Sequence, residues 1–319
     1  MPHRVFPQAP AAVVMVRPHH FTPNPQTAAD NAFQRLAAEQ AAGDVARQAY
    51  AEVTQAARTL EAHGVRVHLF EDEQPGRTPD AVFPNNWFST HAGGHVALYP
   101  MYSPNRRLER RSDVIEMIKA QYRVQDVIDY SGLEPDGLFL EGTGAMVLDH
   151  IARVAYTARS NRANPIALER FATHFNYEPL VFEAVDAQGR AIYHTNVLMC
   201  VATKFALVGL ELIPDAARRA HVQQRLEETG REVIALNAAQ ISEFAGNALE
   251  LSNGRERLLA LSRRALASLS AEQTQCIARS ARLVPLEVPT IELAGGSVRC
   301  MLAGIHLAAR PVCKASERY

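Results

Sequence analysis

Residues 194–237, HTNVLMCVATKFALVGLELIPDAARRAHVQQRLEETGREVIALN, decide the fold. Two apolar runs, HTNVLMCVAT and FALVGLELI, read as strands. A polar helical stretch follows from Asp215 to Thr229, and EVIALN reads as a third strand. The same order of strand, strand, helix, strand recurs on both sides. NWFSTH, HVALYP, a helix from about Leu108 and VQDVIDY make one copy. LFLEGTGAMVLD, RVAYTARS, a helix near Pro165 to Thr173 and PLVFEAV make the next. Downstream lie NALELSN, RERLLALS, helical segments across Ser262 to Arg279, and RLVPLEVP. After these the chain offers only strand material, SVRCMLAGIHL. The missing parts stand at the other end: AVVMVRP, a long helical segment from Thr27 to His63, and VRVHLF. A fifth unit split between the termini would close a ring. The expectation is an α/β chain of five ββαβ units around a central pocket, with residues 1–319 as one domain.

The register of polar residues supports the ring. Glu141, His194, Asn247 and Cys300 follow one another at intervals of 53 residues, and Asn86 stands 55 before Glu141. A fixed period of this size marks a repeat architecture. In a circular repeat, equivalent positions face one axis. These residues, far apart in sequence, should therefore meet at the mouth of the pocket.

Bulk properties exclude several function classes. Net charge is −1, with 33 Lys+Arg against 34 Asp+Glu, and no basic block stands out. A nucleic-acid footprint is absent. No apolar stretch reaches the length of a membrane span. The run Ala11 to Val16 leads into Arg17-Pro18 and reads as a strand, not a signal peptide. Cysteines at 200, 276, 300 and 313 form no CxxC and no Cys/His cluster with zinc-finger spacing. Scattered cysteines suggest a reducing compartment, here the cytoplasm. Cys200, Cys276 and Cys313 read as small buried hydrophobes.

Cys300 differs. It follows GGSVR, whose glycines at 295 and 296 let the backbone bend close to a substrate. To attack an sp² carbon the thiol must lose its proton. His194, brought to the same mouth by the register, can take that proton and later activate water. Glu141 in FLEGTG and Asp80 in RTPDAVFPNNW add two acceptor-only groups. Carboxylates around a Cys/His pair suit a planar ligand rich in N–H donors, such as a guanidinium or a ureide.

These residues resemble the guanidine-modifying superfamily of arginine deiminases, dimethylarginine hydrolases, agmatine deiminases, succinylarginine dihydrolases and amidinotransferases. GGSVRCM is similar to the nucleophile loop of the deiminases, LEGTG to their glutamate segment, TPDAVFPNNWFSTH to their aspartate loop, and YHTN to their His-x-Asp segment. RVAYTARSNR resembles the segment with a substrate-binding arginine, here Arg159. NRRLERR, with Arg106, resembles a substrate-carboxylate site. Together, MVRPHHFTPNPQTAADNAFQ, FPNNWFSTH, SEFAGNALEL and GGSVRCMLAGIHL are most similar to the citrulline-utilisation hydrolase, or amidinotransferase-like, subgroup.

The resemblance implies a five-bladed propeller and a covalent mechanism without cofactor. Cys300 attacks the central carbon, Asp80 and Glu141 hold substrate N–H groups, and His194 protonates the leaving amine. Arg106 and Arg159 hold the amino-acid carboxylate. Asn86 and Asn247 join the substrate-binding set through the register. Two positions depart from the deiminases. Asn196 stands where they have Asp, and Gly295 where they have Arg. Asn196 can donate as well as accept, which suits a neutral ureide with a carbonyl oxygen. The expected reaction is therefore citrulline to ornithine, carbon dioxide and ammonia. Arginine deiminase, dimethylargininase, amidinotransferase and a non-catalytic binding propeller are the other functions this pattern admits. The expected partner is a small amino acid, not nucleic acid or membrane. Oligomeric state is open, a homo-oligomer included.

Overall fold

A computed structural model describes residues 7–35 and 42–311. Strand β1 (Ala12–Pro18) runs parallel to β2 (Arg66–Asp72), with the helix Ala42–Ala62 between them in sequence. Four complete units follow. In each, the first two strands are antiparallel and the third returns parallel to the second. They are β3 (Phe88–His91), β4 (His95–Leu98) and β5 (Asp126–Asp129); β6 (Met146–Asp149), β7 (Val154–Ala158) and β8 (Glu178–Phe182). Then come β9 (Met199–Val201), β10 (Phe205–Val208) and β11 (Glu232–Ala235); β12 (Leu249–Ser252), β13 (Arg257–Ser262) and β14 (Arg282–Leu286). Finally β15 (Ala303–Gly304) pairs antiparallel with β1, so the fifth sheet joins the two ends of the chain.

Parallel return requires a crossover, and each unit supplies one as a helix. Ser112–Gln121, Pro165–Phe175 and Ala216–Glu227 serve the first three. Arg263–Ser268 and Ala271–Ala278 share the task in the fourth. Their starts are written in the sequence. Asp215 accepts from the backbone N–H of Ala217 and Arg218, and Asn164 accepts from Ile166 ahead of a proline. Ser270 and Gln273 form a capping box.

The five sheets contact one another in a closed cycle. β6 meets β9, β9 meets β12, and the turn Val298–Met301 meets β13. β15 meets β3, and the turn Gly142–Ala145 meets both β3 and β6. Apolar side chains fill the space between sheets; one core cluster runs from Tyr156 on β7 through Leu207 on β10 to Leu261 on β13. Among the described residues, no helix is long and apolar enough to cross a membrane.

Two expectations change. Of the helical segment expected over Thr27–His63, the described residues are helical from Ala42 to Ala62 and not from Thr27 to Arg35. Asn24 to Arg35 form turns instead. Their polar side chains are spent elsewhere: Asn24 on Asp80, Asp30 on Arg162, Asn31 on the carbonyl of Ala294. Asn24 Oδ1 and Asn31 Oδ1 also accept from the backbone N–H of Gln26 and Phe33, local side-chain bonds that compete with helix formation. Glu141, His194 and Cys300, which fall inside runs read as strand material (LFLEGTGAMVLD, HTNVLMCVAT and SVRCMLAGIHL), also do not lie in strands. Glu141 and His194 immediately precede single helical turns, Gly142–Ala145 and Thr195–Leu198, and Cys300 lies inside a third, Val298–Met301. The Glu141 carbonyl accepts from the backbone N–H of Gly144 and Ala145 at 3.1 and 3.0 Å. The turn thus satisfies the backbone while its first side chain faces the axis. Cys313 lies outside the described residues.

Candidate active site

The three single turns bring Glu141, His194 and Cys300 to one end of the ring. Asp80, Asn86, Arg106, Arg162, His194 and Cys300 line one cavity there. Gly144 has to be a glycine. A Cβ on it would stand 2.2 Å from Asn86 Nδ2 and 2.9 Å from the His194 ring. Gly295 has φ +81°, and a Cβ there would stand 2.5 Å from the Asn31 amide. The two positions let the nucleophile loop and the Asn24–Arg35 segment close on the site.

Glu141 is fully buried. Its Oε2 receives His194 Nε2 at 2.8 Å and the Nη1 atoms of Arg106 and Arg162, each at 3.4 Å. Its Oε1 accepts from the backbone N–H of Tyr102 at 3.0 Å. Burial opposes ionisation, but Arg162, the His194 bond and Arg106 outweigh it and hold the carboxyl well below the usual range. An ionised carboxylate only accepts, so the His194 proton sits on Nε2 and Nδ1 is left bare. Burial pushes His194 down to about 4, against the pull of Glu141. The ring is therefore a neutral base at neutral pH.

Cys300 is buried, and two amides point at its sulfur. Asn196 Nδ2 lies 3.1 Å from Sγ and Asn247 Nδ2 lies 3.3 Å away. Asn247 Oδ1 accepts from the backbone N–H of Arg299 at 3.0 Å, which fixes the amide orientation. His194 and Cys300 line the same cavity with no hydrogen bond between them. Among the described residues two further cysteines lie away from this site. Cys200 and Cys276 are buried and free, and burial pushes their thiols up to about 12 and about 11.

Asp80 is half-satisfied. Its Oδ2 accepts from Asn24 Nδ2 at 2.8 Å and lies 3.5 Å from Arg106 Nε, while buried Oδ1 has no partner. Burial raises its pKa against the opposing pull of Arg106. Asn86 Nδ2 is likewise buried without a partner. An orphaned acceptor and an orphaned donor thus lie on residues lining one cavity.

The arginines are arranged differently from the expectation. Arg106 was expected at a substrate carboxylate. Its guanidinium instead forks onto Glu109, with Nε and Nη2 at 3.0 Å, and reaches Asp80 and Glu141. Burial pushes Glu109 up to about 8 even so. Arg159 is exposed and lies outside this cavity. It lines an adjoining one of about 470 Å³ with Asp30, Glu183 and Tyr193. Arg162, not singled out from sequence, is the arginine in the site. It bridges Asp30 at 2.5 Å and Glu141, and packs over the Tyr193 ring. A signal existed: Arg162 follows Arg106 by 56 residues, close to the 55 from Asn86 to Glu141. Asn24, Asn31, Glu109 and Tyr193 were also missed, although they lie inside MVRPHHFTPNPQTAADNAFQ, NRRLERR and YHTN; nothing in those segments marks these residues out from their neighbours. Among the described residues, no group of three or more His, Cys, Asp or Glu could hold a metal.

Residues 17–307 match the family described as N,N dimethylarginine dimethylhydrolase, eukaryotic. A search of the curated proteins gave no match. Among solved structures, the N-terminal domain of ArgZ, an arginine dihydrolase from the ornithine-ammonia cycle in cyanobacteria, is similar at TM-score 0.70 and 16% identity, over 92% of this chain and 97% of that one. Unliganded AgrE is similar at TM-score 0.71 and 18% identity, over 94% of this chain and 40% of that one. The dimethylarginine enzyme DDAH from Pseudomonas aeruginosa, solved with citrulline, is similar at TM-score 0.59 and 12% identity, over 93% and 100%. At these identities the structural likeness is one of fold.

Proposed function

Because the chain belongs to the N,N-dimethylarginine dimethylhydrolase family, within the guanidine-modifying superfamily, we propose that it is a cysteine hydrolase that cleaves citrulline to ornithine, carbon dioxide and ammonia. We read its five sheets as propeller blades in one domain, with the site at one end of the axis.

One observation carries the choice of a ureide. Glu141 is already occupied by two guanidiniums and His194. Of the buried side-chain atoms without a partner, those on residues lining the cavity are one acceptor, Asp80 Oδ1, and one donor, Asn86 Nδ2; the partnerless Asn196 Oδ1 belongs to the amide that points at Sγ. A ureide offers N–H groups to the first and a carbonyl oxygen to the second. A guanidinium has only donors and leaves the Asn86 N–H facing another N–H. An unmatched buried polar group costs about 1–3 kcal/mol.

In the proposed reaction, His194 Nδ1 takes the Cys300 proton and Asn196 and Asn247 hold the sulfur anion. The thiolate adds to the ureido carbon, and the growing oxyanion is held by Asn86. His194 returns the proton to the leaving amine as the C–N bond breaks, which leaves a thiocarbamoyl enzyme. Water, deprotonated by His194, then splits the C–S bond. The resulting carbamate loses carbon dioxide to free the second amine. Arg106 and Arg162 keep Glu141 ionised, and Glu141 keeps the His194 proton on Nε2. Arg159, in the adjoining cavity, is the candidate for the amino-acid carboxylate.

Arginine is the second reading, favoured by the likeness to an arginine dihydrolase. The test is a panel of citrulline, arginine and dimethylarginine, with ammonia and ornithine measured and no amine acceptor added. Citrulline should give equal ornithine and ammonia at the highest kcat/KM. Faster release of citrulline from arginine would overturn the ureide assignment. Turnover only with an added amine would mean an amidinotransferase.

A further inference from the structure

A second cavity lies on the ring axis and shares no lining residue with the catalytic one. All five sheets contribute to its wall, through Ser89, Leu148, Cys200, Leu249 and Gly304 among others. Its space is about 30 Å³, enough for about two waters. Arg299, the neighbour of Cys300 in sequence, lines it, as do His150 and His306.

Arg299, which is half-buried, differs from the three fully buried arginines. Arg106, Arg162 and Arg231 each meet at least one carboxylate. Arg299 forms no ion pair among the described residues; its Nη1 donates to the carbonyl of Leu302 at 3.1 Å. The histidines do not offset it. Their rings stack at 3.8 Å, and burial lowers both, His306 to about 4, so both are neutral near pH 7. His150 Nδ1 is engaged by the Tyr177 hydroxyl and His306 Nδ1 by the Pro7 carbonyl. The other polar wall groups are also spent: Gln8 on the carbonyls of Leu148 and Val201, Thr90 on the carbonyl of Gly304. One positive charge therefore faces a small, partly enclosed space with nothing of opposite sign in its wall. An uncompensated cation in such a place is costly, and an anion removes the cost.

We propose that this axial cavity is a binding site for one small monovalent anion, of the size of chloride or bicarbonate, with Arg299 as its charged partner. A larger or divalent anion does not suit a single guanidinium in so small a space. Binding to the folded chain alone stabilises it by mass action.

The test is thermal unfolding of the full chain at constant ionic strength, with sodium chloride or bicarbonate replacing sodium gluconate, whose anion is too large to enter. Wild type should gain Tm by a few degrees in a saturable way, and Arg299→Gln should not. Saturation by bicarbonate but not chloride would identify the carbonate form as the occupant; saturation by both would leave size and charge as the sole criteria. An equal response in both proteins, or no saturable response in wild type, would overturn the site. Should Arg299→Gln not fold, a wild-type crystal soaked in sodium bromide decides it: anomalous density beside the Arg299 guanidinium is expected, and its absence rejects the proposal. Neither readout uses turnover, so the result stands apart from the citrulline assignment.

Discussion

Replacing Asn86 by Asp tests the ureide assignment most sharply. The side chains are nearly isosteric, so the fold around Gly144 has no new bulk to accommodate. What changes is the unpaired Nδ2 donor, which becomes an acceptor oxygen. In wild type the ureide oxygen receives that donor. In Asn86→Asp it faces a carboxylate oxygen, and two acceptors meet in a buried site. Losing the bond and leaving its partner unsatisfied costs about 1–3 kcal/mol. At about 1.4 kcal/mol per decade, kcat/KM for citrulline should fall roughly 5- to 150-fold. Arginine gains an acceptor at the same place, so its kcat/KM should fall less or rise. The measured quantity is the citrulline-to-arginine ratio of kcat/KM. Asn196→Asp is the control, because Asn196 lies 3.1 Å from Sγ and not on an orphaned donor. A carboxylate there disfavours the thiolate and should lower kcat on both substrates alike. A ratio unmoved by Asn86→Asp but shifted by Asn196→Asp would refute the reasoning and return the ureide contact to Asn196.

Cys300→Ser should abolish turnover with the Tm kept, whereas Cys200→Ser and Cys276→Ser should stay active; both are read by ammonia release. Glu141→Gln leaves Arg106 and Arg162 without a shared anion, and breaking a buried pair from one side costs about 3–5 kcal/mol, so both Tm in calorimetry and kcat should drop. The pH dependence has a defined sign. The His194 pKa is lowered in the folded chain to about 4 from an ordinary value of about 6.5, so the unfolded chain binds more protons between those values. Its contribution to stability is present above about pH 6.5 and lost as pH falls towards 4; urea titrations should show a shallower decline over that window in His194→Asn. The acid limb of kcat/KM should accordingly lie nearer pH 4 than 6.5, measured on citrulline.

The ring was legible because each unit writes its own punctuation. The strand runs are apolar and short, and Asp215, Asn164 and Ser270 open helices that return the chain. A repeat also turns spacing into proximity: the 53 residues between Glu141 and His194 bring the two together, and His194 Nε2 stands 2.8 Å from Glu141 Oε2. The same period places Asn247 beside Cys300 but cannot say what its amide does there. Spacing fixes which backbone positions face the axis. The direction of a side chain is then settled by competition among polar groups for partners in a site closed to water. Arg106 shows this. Its sequence context suggests a free guanidinium for a ligand, yet Glu109, Asp80 and Glu141 converge on it, and three carboxylates fold around the nearest cation. The Asn24–Arg35 segment shows it from the other side. Read locally it continues a helix, but Asp80, Arg162 and the Ala294 carbonyl each need a partner, and the segment unwinds to supply them. Local pattern predicts elements wherever the backbone satisfies itself. It fails where the backbone conformation is dictated by polar groups more than 50 residues away in sequence, and in this chain that happens over the catalytic cavity.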